Sequence, residues 1–94
     1  MTKPYTETYY TQEGTDRPYI VREFDQNVQD DELVWHRDRD FRHVTVLSGN
    51  DWKIQMDEEL PKDLVIGQTY YINKNEYHRL IKGQGNLVVR IENI

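Results

Sequence analysis

Residues that break regular structure recur about every 8 to 12 positions along this chain, and the runs between them are rich in Val, Ile, Thr and Tyr. That spacing leaves little room for helices. No long segment carries apolar side chains at the i, i+3, i+4 intervals a packed helix needs. The chain therefore reads as all-β, a single antiparallel barrel or sandwich. The expected strands are Tyr5–Tyr10, Tyr19–Phe24, Leu33–Asp38, Arg42–Leu47, Trp52–Met56, Thr69–Ile72, Glu76–Ile81 and Asn86–Ile91. Gln12–Asp16 and Asn73-Lys74-Asn75 supply turn chemistry, Ser48-Gly49-Asn50-Asp51 a hairpin, and Gly83-Gln84-Gly85 the last link. Asp57–Pro61 is a polar loop, and Pro61 would interrupt any helical turn over Asp57–Leu64.

With 94 residues, the expectation is one domain spanning 1–94, in which 1–30 supplies outer strands and 33–91 the functional barrel. A chain of this size buries about two-thirds of its unfolded surface, so the core is modest. A formal charge of −5 argues against nucleic acid, whose phosphates need a basic face. No run approaches the roughly 20 apolar residues of a membrane span. Met1-Thr2-Lys3-Pro4-Tyr5 lacks the apolar stretch of a secretory signal, and there are no cysteines, so the expected setting is the cytoplasm. The acidic stretch Asp25, Asp30, Asp31, Glu32 is read as a solvated turn. Arg37, Arg39 and Arg42 alternate with Asp38 and Asp40, as on an ion-paired surface.

Chemistry is most concentrated at His36-Arg37-Asp38. On a strand, His36 and Asp38 face one way while Trp35 and Arg37 face the other. An imidazole and a carboxylate then share one point in space. His78, from a distant strand, completes a two-His-one-carboxylate set, which suits a divalent ion such as Fe, Mn, Ni or Zn and leaves positions open for a ligand. By itself His-x-Asp is a weak signal, since a histidine among charges is more often a surface residue.

The surrounding spacing resembles the cupin (RmlC-like) superfamily, whose motifs are G(x)5HxH(x)3–4E(x)6G and G(x)5PxG(x)2H(x)3N. Here His36-Arg37-Asp38 is followed at matching distances by Arg42 and Gly49, and Val46-Leu47-Ser48-Gly49 is similar to the Val-Leu-Glu-Gly that often closes the first motif. Gly67, Asn73, Asn75 and His78 fall at the spacing of the second. The resemblance spans about residues 33 to 91. Asn75-Glu76-Tyr77-His78-Arg79-Leu80 also resembles the His-Arg-Leu segment of cupin domains of the mannose-phosphate isomerase type. The resemblance implies a jelly-roll-like double-stranded β-helix with metal ligands at His36 and His78. Several positions depart from the pattern. Asp30 replaces the opening glycine, Asp38 the second histidine, Arg42 the glutamate, Asn73 and Asn75 the proline and glycine, and Lys82 the final asparagine. Asparagine tolerates left-handed backbone, so the Asn75 turn should survive.

Two readings of Asp38 stand open. It is the third metal ligand, or it pairs with Arg42, which is expected on the same pocket face. In that second case a metal would keep two histidines only, and these could equally be satisfied core residues. Arg42 also has the planar, permanently charged fork that grips a carboxylate or phosphate. His43 should face away, and a one-residue register slip would exchange it with Arg42. Arg90 lies where iron/2-oxoglutarate oxygenases carry a co-substrate arginine, but Leu87, Val89 and Ile91 are better inward residues. Gln55 is read as outward. Of Trp35, Trp52, Tyr70, Tyr71 and Tyr77, most are read as core or interface, with one or two lining the pocket. Three functions remain: a metal-dependent enzyme on a small anionic organic acid or sugar derivative, a non-catalytic small-ligand binder, and a structural or assembly protein with a degenerate site. A homodimer is expected, because a small barrel leaves sheet edges to cover.

Overall fold

A computed structural model describes residues 3–93. Eight strands follow in order: β1 Tyr5–Gln12, β2 Arg17–Phe24, β3 Arg42–Asn50, β4 Lys53–Met56, β5 Lys62–Asp63, β6 Thr69–Ile72, β7 His78–Ile81 and β8 Gln84–Asn93. All pairings are antiparallel. They make a five-stranded sheet, β1-β2-β8-β3-β6, and a three-stranded sheet, β5-β4-β7. Ladder hydrogen bonds do not join the two sheets into a closed ring among the described residues.

One hydrophobic cluster draws on both sheets. Alternation decides which side chains enter it: Val44 and Val46 from β3, Leu87, Val89 and Ile91 from β8, and Ile54 and Met56 from β4 are buried, while their neighbours are not. Trp52, Leu87 and Val46 are the most completely enclosed. Each such aliphatic side chain contributes about 1.5–3 kcal/mol of burial free energy. The Trp52 indole N–H donates to the Gly85 carbonyl at 3.1 Å, so the ring enters the core without an unpaired donor.

Three elements differ from the sequence reading. Leu33–Asp38 is not a strand: it touches β7 at one bridge, His36 opposite His78. The physical cause is local. Asp30–Glu32 winds into a 3-10 turn in which the Gln29 N–H donates to the Glu32 carboxylate at 3.1 Å, and of the segment that follows only His36 bridges to β7. The acidic side chains of that turn are exposed, as a solvated turn requires. β3 runs on to Asn50 with register shifts after Val46 and Ser48, so the reversal falls at Asp51 (φ 59°) rather than over Ser48–Asp51. Finally, Lys62–Asp63 pairs with β4, and Asp57–Leu64 holds no helix.

At Gly83 the sheets' connection depends on close backbone approach. A Cβ there would lie 2.1 Å from the Asn50 carbonyl oxygen and 2.4 Å from Trp52 N. Gly83→Ala should therefore cost about 3 kcal/mol, the upper end of overpacking penalties. Gly67 has open space around its Cβ position and only its φ of +88° against it, so Gly67→Ala should cost roughly 1–2 kcal/mol. Urea unfolding of both variants checks the order.

Candidate metal centre

The His36–His78 bridge is a reciprocal pair: His36 N–H donates to the His78 carbonyl at 3.0 Å, and His78 N–H returns to the His36 carbonyl at 2.8 Å. Residues opposed in this way carry their side chains on the same face. The two imidazoles lie edge to face, ring centroids 4.4 Å apart. Two residues on from His36, Asp38 is tethered by its carbonyl, which accepts from Asn75 N–H at 2.7 Å. Asn75 sits at φ 62°, the left-handed conformation its position was expected to need. The second-motif turn thus holds the first-motif carboxylate in place.

His36, Asp38 and His78 each present one ligand atom, and these atoms lie within 4.8 Å of one another. The tautomers follow from the hydrogen bonds. His36 Nδ1–H donates to the Val34 carbonyl at 3.0 Å, and His78 Nδ1–H to the Glu76 carbonyl at 2.8 Å. Each ring's proton is engaged at Nδ1, so each Nε2 offers a lone pair. His78 Nε2 stands 3.4 Å from Asp38 Oδ2. Oδ2 is closed to solvent and accepts no hydrogen bond from a described residue. Two acceptors facing each other in a shielded site repel unless positive charge lies between them. Either a second proton on His78 or a cation meets that need. His78 is the one buried polar or charged residue among those described, at 3% exposure, so a proton or cation beside it is shielded from water and depends on Asp38 for balancing charge. The donor set of two imidazole nitrogens and one carboxylate oxygen fits a divalent first-row ion.

Of the two readings of Asp38, the pairing with Arg42 is present. The ion pair with Arg42 exists, Nη1 to Oδ1 at 3.2 Å, and occupies one oxygen only. The other is left for the histidines. Burial works to raise the Asp38 carboxyl, but a hydrogen bond and positive charge from a protonated His78, together with the Arg42 guanidinium, outweigh it and hold it below the ordinary carboxylate value. Shielding of its ring, with the neighbouring His78 and Arg22, holds the His36 imidazole below its usual 6.5.

The remaining candidates separate cleanly. Arg42 lines the cavity over the site. His43 packs edge-on against Tyr71 across the ladder, ring centroids 4.5 Å apart, so the register slip does not occur. Arg90 stacks on Tyr19 and pairs with Glu92 at 3.2 Å, outside the core flanked by Val89 and Ile91. Gln55 is outward and bonded to Arg79 at 3.0 Å. Trp52 is core, Tyr70 lines the inner part of the cavity, and Trp35, Tyr71 and Tyr77 are exposed. Arg37 stacks over Tyr77 and Arg79 over Trp35, so cation–π contacts partly replace the expected ion pairs.

A cavity of about 260 Å³ opens over His36 and Asp38, with a pocket of about 50 Å³ beneath it reaching His78. Arg22 lines both, and the sequence reading passed over it. The signal was present: Ile20-x-Arg22-x-Phe24 alternates with Phe24 buried, which turns Arg22 inward.

No family model matches the chain, and no curated protein matches it at a significant level. Solved structures do match. The dimethylsulfoniopropionate (DMSP) lyase DddQ from Ruegeria pomeroyi DSS-3 aligns with TM-score 0.76 and 13% identity over 96% of this chain and 46% of that one. An RmlC-like cupin with a double-stranded β-helix fold, MJ0764 from Methanocaldococcus jannaschii, gives 0.68 and 13% over 98% of this chain and 81% of that one. HppE, solved as a Co(II) complex with substrate, gives 0.68 and 16% over 96% and 52%, and its Fe(II) form also matches. The chain spans about half the length of the lyase and of HppE. At these identities the likeness establishes the fold, and the fold is the cupin double-stranded β-helix.

Acid should lower the protein's stability over two pH ranges. Lowered in the fold, His36 takes up its proton more readily in the unfolded chain, so stability falls as pH drops below 6.5. Asp38 is also lowered, and its stabilisation is present above 3.8 and lost as pH falls through its folded value. Urea midpoints measured against pH should lose the upper slope in His36→Gln and the lower one in Asp38→Asn.

Proposed function

We propose that this chain is a metal-dependent cupin in which His36, Asp38 and His78 hold one divalent first-row ion beside a pocket for a small anionic organic molecule. The observation that carries this reading is the shielded Asp38 Oδ2, which has no hydrogen-bond partner of good geometry among the described residues and lies 3.4 Å from His78 Nε2. HppE, matched in Co(II) and Fe(II) forms, adds that this fold accepts such ions. His36, Asp38 and His78 would hold the ion, which would supply Lewis-acid chemistry there. The chain's own residues do the rest. The bridge fixes both imidazoles, Arg42 steadies Asp38 through Oδ1, and its remaining N–H groups attract an anionic ligand to the cavity. Phe24, Leu33 and Leu80 in the wall limit water around it. The volume of about 260 Å³ is smaller than the roughly 300–1,000 Å³ of pockets for drug-sized molecules, which favours an organic acid or sugar derivative of a few carbons.

A second reading, a non-catalytic binder of the same ligands, is favoured by Arg42 standing where the cupin pattern has a glutamate. Turnover of a small acid by metal-loaded protein separates the two.

Metal content by mass spectrometry of tag-free protein should show near one first-row ion per chain, sharply reduced in Asp38→Ala and His78→Ala. Wild-type protein that takes up no added Fe, Mn, Ni or Zn would contradict the reading, and the Asp38–His78 contact would then be a buried ion pair.

We also infer a homodimer. β1 and β6 end the larger sheet with unpaired ladder groups, and β1 presents Tyr9 at 73% exposure. Light scattering should give twice the 11.4 kDa chain mass; the single-chain mass would refute it.

A further inference from the structure

The wall of the cavity holds two guanidinium groups with more donors than the protein satisfies. Arg22 comes from β2 and Arg42 from β3, and both line the outer and inner parts of the cavity beside His36 and Asp38. Their side chains are 12% and 20% exposed. Each carries five N–H donors in a rigid fork. Among the described residues Arg42 has one charged partner, Asp38 Oδ1 at 3.2 Å. Arg22 stacks on the Tyr5 ring, 3.9 Å from the ring centre, and approaches Glu7 at 3.5 Å, long for a hydrogen bond. Both Nε atoms are shut off from water and lack a hydrogen-bond acceptor among the described residues, as does Arg90 Nε outside the cavity, so what sets Arg22 and Arg42 apart is their shared place in the cavity wall.

A purely structural role accounts for part of this. Arg22 sits opposite Glu7 in the β1–β2 register and helps clamp that edge. Clamping does not explain why two permanent charges of the same sign share one cavity with so few acceptors, since each unmade bond to a buried charged donor is costly. Glu32, also in the cavity wall, does not fill the gap, because it is exposed and its carboxylate accepts from Gln29 within its own turn. What is missing is an acceptor with several oxygens and negative charge.

We propose that Arg22 and Arg42 form an oxyanion subsite that takes the carboxylate or phosphate-like group of a small ligand. This rests on reading the cavity as the functional site, but not on a metal being bound. Tyr5 and Glu7 act as positioning residues that hold the Arg22 fork toward the cavity.

The test titrates inorganic phosphate and, separately, acetate into chelator-treated, nitrogen-15-labelled full-length protein while the arginine Nε–H signals are followed. Saturable shifts are expected at Arg22 and Arg42, and none at Arg90 on the outer face. Arg22→Gln should raise Kd at least tenfold, Arg22→Lys should raise it less, and Arg90→Gln should leave it unchanged. Tighter phosphate identifies a doubly charged oxyanion and tighter acetate a carboxylate; either supports the subsite. Equal shifts at Arg90, no saturable shift at Arg22, or unaltered affinity in a folded Arg22→Gln would overturn it. The wild-type signals decide the matter even if Arg22→Gln does not fold. Metal uptake by the same samples keeps the two proposals apart, since protein that binds phosphate through Arg22 but no metal refutes only the metal reading.

Discussion

Two backbone hydrogen bonds between His36 and His78 hold the candidate centre together. The segment carrying His36 belongs to no strand, so nothing else in the ladder network sets its position. The bridge places two imidazoles side by side, the Nδ1 bonds to Val34 and Glu76 fix which nitrogen is free, and the Asn75 bond to the Asp38 backbone brings the carboxylate within reach. The donor set is thus assembled from the backbone outward, with the side chains inheriting their geometry.

Charge then explains the arrangement around that set. Asp38 divides its oxygens, Oδ1 toward Arg42 and Oδ2 toward His78. A carboxylate alone among apolar walls would be very costly to keep ionised, and Arg42 removes much of that cost without consuming the second oxygen. Replacing the glutamate of the cupin pattern by arginine therefore changes the site's character rather than abolishing it. Where the cupin pattern has three histidines and a glutamate, this site has two histidines, Asp38 and the cationic walls of Arg22 and Arg42, with Glu32 also lining the cavity.

Much of this was legible in the sequence because strand alternation and turn chemistry are local. Leu87, Val89 and Ile91 faced inward and Arg90 outward as their period of two requires, and Asn75 took the left-handed turn its side chain permits. His36, Asp38 and His78 met as the motif spacing implied. The sequence misled where pairing partners decide. Val34 and Trp35 look like strand residues, yet they find no ladder and stay exposed. Lys62–Asp63 gave no strand signal and pairs only because β4 lies beside it. Arg22 belongs to neither motif, and its inward position rests on plain alternation in β2. The division of Asp38's oxygens has no signature in sequence at all.

The most direct test is anomalous diffraction from crystals soaked in Co(II). The account predicts one strong peak bounded by the Nε2 atoms of His36 and His78 and by Asp38 Oδ2, with Arg42 still on Oδ1. An empty centre, or cobalt bound only where Arg42 has been driven off Asp38, would contradict the claim that one carboxylate serves both partners.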